Sequence, residues 1–200
     1  IMEIDGNWQD FSSEPAITIL EPEEDFPLPM FIAMDPPVHD EQRKTVQGSV
    51  APANLKLMEE TIRSRTQQVL DDLPVGEQFD WVDRVSIELT TQMLATLFDF
   101  PFEDRRKLTR WSDVATGDEE SGIVESEEAR QAELYECLEY FTRLWHEREE
   151  NGERNDPVSM LANGEATKNM SPQEYLGNLI LLIVGGNDTT RNSMTGGVWA

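Results

Sequence analysis

The chain has 200 residues, 38% of them apolar, which is enough for one domain with a sizeable core. Against 16 basic residues stand 40 acidic ones, a formal net charge of −24. A surface this acidic repels phosphate backbones and anionic lipid heads, which argues against nucleic acid and peripheral membrane as partners. A solubilising surface is the plain reading of the charge.

The single cysteine, Cys137, excludes an internal disulfide and any CxxC metal spacing, and a reducing, cytoplasmic compartment fits it best. The opening Ile1-Met2-Glu3 is unlike a signal peptide, and the longest apolar run, Leu179 to Val184, is far too short to span a bilayer. Both ends read as cut. Ile1 enters in mid-pattern, and Met194 to Ala200 still reads as helix with no stop signal, so a piece of a longer protein is expected.

Residues 1–31 carry Pro15, Pro22, Pro27 and Pro29, a density that forbids a long helix, with β-like stretches at Ile1–Ile4 and Ala16–Leu20. An acidic patch, Glu21, Glu23, Glu24 and Asp25, interrupts a loop rich in Ile17, Ile19, Phe26, Leu28, Met30 and Phe31. A loop with that many large apolar residues covers a core or lines a ligand cavity. From Asp35 onward helices dominate. Asp35-Pro36-Pro37 supplies an N-cap and first-turn proline for a helix running to about Gln47. Pro52 starts a second, with Leu55, Met58, Ile62, Val69 and Leu73 at helical spacing, and Pro74-Val75-Gly76 ends it. Phe79 to Trp81 reads as a short strand. Val85, Leu89, Met93, Leu94 and Leu97 mark a buried helix, and Pro101 opens another with Leu108 and Trp111 on its apolar side. After a polar break at 118–122, a long amphipathic helix covers Glu127 to Glu150, with Leu134, Cys137, Leu138, Phe141, Leu144 and Trp145 as its stripe. A short helix follows at Pro157–Leu161. Ser171-Pro172-Gln173-Glu174 is a capping box with first-turn proline, a strong helix start.

That last helix is apolar almost all round from Leu176 to Val184, as suits a helix at the centre of a protein. Gly185-Gly186 then interrupts it, at about 1 kcal/mol per glycine relative to alanine. Asp188, Thr189 and Thr190 follow, polar groups where a core should be. At helical period, Asn178, Leu181, Leu182, Gly185, Thr189, Asn192 and Gly196 share a stripe. The glycines make a dent, with a hydroxyl one turn beyond. From spacing alone two readings stand: a ligand pressed against the dent with an acid–alcohol pair beside it, or another helix packed on the glycines with Asp188 in a salt bridge.

Gly185-Gly186-Asn187-Asp188-Thr189-Thr190 resembles the central-helix signature of the cytochromes P450, and Asp35-Pro36-Pro37-Val38-His39-Asp40-Glu41-Gln42-Arg43 resembles the family's Asp-x-Pro-x-His-x-x-x-Arg helix. The resemblance implies a mainly α, partial P450 fold over residues 1–200. It runs from the loop the family letters B–C through its distal I helix, without the N-terminal part or the C-terminal haem-binding loop. It implies a haem b cofactor, with Gly185 and Gly186 leaving room on its distal side and Asp188 and Thr189 relaying protons there. His39 and Arg43, four apart on one helix face, are implied to hold the two propionates, as charge-assisted donors suit carboxylates. The metal ligand, a cysteine after Phe-x-x-Gly, is expected outside this chain; Cys137 is a core thiol. The wording around Phe26–Pro37 and Gly185–Met194 is similar to soluble bacterial enzymes that hydroxylate medium-chain alkanes and fatty acids at the terminal carbon. These use O2 and electrons from a ferredoxin and an NADH-dependent ferredoxin reductase. Ile17, Ile19, Leu28, Met30, Leu181 and Val184 are the expected substrate pocket. A sterol or terpene would also suit such a pocket. A helical binding module without chemistry, or a non-haem helical protein, are the other readings.

Overall fold

The computed structural model describes residues 4, 6–17, 26–117, 121–152 and 154–200. Among them are seven α-helices: α1 (Val38–Val46), α2 (Pro52–Asp71), α3 (Glu88–Leu97), α4 (Arg106–Thr116), α5 (Glu127–Asn151), α6 (Pro157–Asn163) and α7 (Pro172–Trp199). No strand occurs among the described residues, and none of their helices is long and apolar enough to cross a membrane. The β-like stretches fall largely outside the described residues; Ile4, Ala16 and Ile17 are described and form no strand. The acidic patch at 21–25 and the start of the polar break, 118–120, also lie outside them. The chain forms two compact units, residues 1–48 with 135–181, and residues 49–134 with 182–200.

In the first unit, α1 packs on α6, and the core is built from Phe31, Phe141, Val158, Leu161, Tyr175, Leu176 and Leu179. The helix α1 begins two residues later than the Asp35 cap predicts, because each proline of Pro36-Pro37 drives the residue before it out of helical conformation. Four residues of the predicted α5 stripe are buried as expected, and Leu138 and Trp145 are half-buried. The stripe continues to Arg148, 2% exposed, which pairs with Glu147 at 2.8 Å and approaches Asp156 at 3.7 Å. Asp156 also caps α6, accepting from the Ser159 amide at 2.9 Å and the Ser159 hydroxyl at 2.8 Å. At the start of α7, Ser171 Oγ accepts from the Glu174 amide as a capping box requires. The Glu174 carboxylate does not return to Ser171; it accepts from Gln42 Nε2 at 2.5 Å.

In the second unit the expected strand at Phe79–Trp81 is a helix start. Asp80 Oδ1 accepts from the Val82 and Asp83 amides, and a π-helical turn over Val82–Ile87 leads into α3. Two capped amides outweigh the aromatic pattern that suggested extended backbone. The core here holds Leu94, Phe98, Leu108, Trp111, Val114 and Leu134. The predicted apolar line of α2 is only partly covered. Val69 is buried and Arg65 donates to Gln92 O and Thr96 Oγ1 of α3, while Leu55 and Ile62, earlier on the same face as Val69, are exposed. One face of α2 is therefore fixed by polar contacts that apolar spacing does not reveal.

Candidate functional site: the distal stretch of the last helix

Packing divides the two glycines of α7. A Cβ added at Gly186 would lie 2.6 Å from Leu94 Cδ2, so this glycine lets α3 close on α7. A Cβ added at Gly185 would meet nothing within 4 Å among the described residues. The helix-packing reading left open by spacing is thus realised at Gly186, while Gly185 presents an open face among the described residues. The α3-facing side of α7 continues with Asn187, whose Oδ1 accepts from Thr90 at 3.1 Å, and with Thr195, 2.9 Å from Ser86 Oγ.

Thr189 stands one turn beyond Gly185 on the exposed side, and its Oγ1 donates to Gly185 O at 2.9 Å. The hydroxyl satisfies the carbonyl beside the dent and keeps its lone pairs free to accept a further donor. Asp188 takes the salt-bridge role. Its carboxylate accepts from Arg191, whose other amino group donates to Asp113 Oδ1 of α4 at 2.9 Å. Asn192 and Gly196, predicted on the Thr189 stripe, are exposed as well. Asn178 of the same predicted stripe is fully buried.

On α1, His39 is half-buried. Its Nδ1 lies 2.9 Å from Asp40 Oδ1 and its ring faces Phe31 at 6.4 Å between centroids. Arg43 is exposed, and among the described residues its guanidinium makes no ion pair. Of the expected pocket residues, Ile17, Leu28 and Met30 come together. With Pro15, Pro29 and Ala33 they line an apolar groove of about 360 Å³, within the range of about 300–1,000 Å³ that small-molecule sites occupy. Leu181 and Val184, both half-buried, are not among its lining residues, and Ile19 lies outside the described residues.

No family model matches the chain. It is 32% identical over 166 residues to linalool 8-monooxygenase of Pseudomonas putida, covering 82% of this chain and 41% of that protein. Among solved structures it superposes on cytochrome P450-153 of Novosphingobium aromaticivorans with a TM-score of 0.78 and 50% identity, over 94% of this chain and 46% of the other. On CYP153D17 of a Sphingomonas species the TM-score is 0.83 at 46% identity, over 100% of this chain and 51% of the other. The chain belongs to the cytochrome P450 family.

It spans about half the length, or less, of these P450 relatives. The family cofactor is haem with its iron, and the residues present suit its distal side and its carboxylates. Gly185 offers a face with no Cβ beside the Thr189 hydroxyl, and Arg43, one turn from His39, offers a guanidinium with no ion pair among the described residues. Cys137 does not suit the iron. It is fully buried, and burial followed by the Glu136 charge pushes its thiol well above the usual range, so it stays protonated. No group of three or more His, Cys, Asp or Glu side chains among the described residues could hold a metal ion. Sequence reasoning missed Arg191, Asp113, Gln42 and Gly177. The one readable signal was Asn178, a lone amide inside an apolar run.

Proposed function

We propose that the whole protein to which this chain belongs is a haem-thiolate monooxygenase that places one oxygen atom of O2 into an unactivated C–H bond. The substrate proposed is a medium-chain alkane or fatty acid, hydroxylated at its terminal carbon. The observation that carries the reading is the open face at Gly185 with the Thr189 hydroxyl bonded across it.

When bound, haem supplies the oxidising chemistry; the chain's own residues bind, orient and move protons. Gly185 leaves the space. Thr189 donates to Gly185 O and can accept a proton donor from the open side, so a proton arriving there has an oxygen to pass through. Asp188, about one-third exposed and adjacent in sequence, is the carboxylate that can feed it from solvent. His39 and Arg43 are proposed to hold the two propionates. Gly186 acts through packing on Leu94.

The groove of Ile17, Leu28 and Met30 supports an apolar substrate. Each methylene buried contributes about 0.8 kcal/mol, so affinity should fall about fourfold for each methylene removed from a well-seated chain. Electrons are proposed to come from a ferredoxin and an NADH-dependent reductase, in the cytoplasm. The linalool relative favours a second reading, in which the same groove takes a terpene; a sterol would suit an apolar groove in the same way. Product analysis with dodecane, dodecanoic acid, linalool and cholestenone separates the two.

Thr189→Ala in the whole enzyme tests the proton role. Product formed per NADH consumed should drop several-fold while NADH consumption continues, and Thr189→Ser should recover much of it. Unchanged coupling in Thr189→Ala would refute the assignment.

A further inference from the structure

The loop that walls the apolar groove rests on α7 where the helix has no side chain. A Cβ on Gly177 would lie 2.1 Å from Pro29 O and 2.9 Å from Pro29 C, closer than Cβ atoms approach backbone. The next helix residue, Asn178, is fully buried. Its Oδ1 accepts from the Phe31 amide at 2.8 Å, and its Nδ2 donates to Gln42 Oε1 at 3.0 Å. Gln42, 3% exposed, in turn donates to Glu174 one turn earlier on α7. A buried amide inside an apolar helix is costly unless its groups are paired, and here the partners on both sides are supplied.

We infer that Gly177 and Asn178 are positioning residues that fix the groove wall, and thereby determine which apolar substrates the groove accepts. The inference rests on the groove being the substrate seat. Two consecutive positions act together: Gly177 sets how close the Pro29 backbone lies, and Asn178 sets the register of the chain at Phe31. Leu28 and Met30, on either side of Pro29, are groove-lining side chains, so their placement follows from this contact. A helix with any larger residue at 177 would lift the wall and admit a wider ligand. Neither residue lines the groove itself, so its substrate preference would be set from outside it.

The test uses the whole protein, haem-loaded, with hydrogen exchange of the amides over residues 26–34 and equilibrium binding of dodecane and linalool as readouts. Gly177→Ala should speed exchange over that loop and lower dodecane affinity about tenfold while linalool affinity falls less. Asn178→Asp keeps an acceptor for the Phe31 amide and should preserve its protection. Asn178→Leu removes the acceptor and should expose it. If Gly177→Ala does not fold, Asn178→Ser carries the same measurement. Unchanged exchange in the variants that fold overturns the clamp. Faster exchange with an unchanged dodecane-to-linalool ratio overturns the specificity role. Ile17→Trp fills the groove without touching the clamp; unchanged dodecane binding in that variant removes the reading of the groove on which the inference rests.

Discussion

Arg191 of α7 and Asp113 of α4 are joined by a 2.9 Å ion pair, and the same guanidinium also holds Asp188. One side chain, mostly buried between two carboxylates that are each about one-third exposed, therefore ties the acid of the proposed proton path to a neighbouring helix. A planar fork can serve two carboxylates at once in a way a lysine cannot. Replacing Arg191 by Gln should lower stability by about 1 kcal/mol, discounted for the exposure of the partners. In a double-mutant cycle, Asp113→Asn and Arg191→Gln should couple by about 0.5–1 kcal/mol. Chemical denaturation of the four proteins measures this, and additive losses would show that the pair contributes nothing.

The two glycines should respond in opposite directions. At Gly185 nothing stands in the way of a methyl group, so Gly185→Ala should raise stability by about 0.5–1 kcal/mol through helix propensity. If the open face is the distal site, that variant should also lose activity. Gly186→Ala drives a methyl into Leu94, which is 3% exposed, and should lower the melting temperature. Adding Leu94→Val should restore part of the loss. Thermal melts of the two single variants and the double variant decide it.

His39→Ala and Arg43→Ala should each weaken haem retention, and the double variant more than either. Arg43 is exposed and unpaired among the described residues, so its loss should leave folding stability within about 0.5 kcal/mol. Haem transfer to apomyoglobin gives the retention rate. Full retention in the double variant would remove both residues from the propionate assignment.

Cys137 should behave as a sealed thiol. Because its folded pKa is raised, the folded state favours the protonated form. The stability this represents is complete below the unfolded pKa of about 8.5 and is lost as pH rises toward the folded value. Cys137→Ala should therefore flatten the decline of stability between pH 8 and pH 10, at the cost of a small cavity. Labelling of the native thiol by a disulfide reagent should proceed only as fast as the protein opens.

The residues whose chemistry is local were legible in the sequence. Proline, glycine and capping side chains fixed most helix bounds, and Thr189 bonds to Gly185 O because four residues make one helical turn. Cys137 could be read as core because it sits in an unbroken apolar stripe. Other features depend on what lies across the helix, which period and composition cannot express. Whether a glycine faces Leu94 or open space, whether Glu174 turns back to Ser171 or out to Gln42, and whether Asp80 caps two amides are set by partners distant in the chain or by backbone direction. The same holds for Asn178. Periodicity put it on the Thr189 stripe, but only packing against Phe31 and Gln42 decided that it is buried and paired, because a hydrogen bond needs both partners in place.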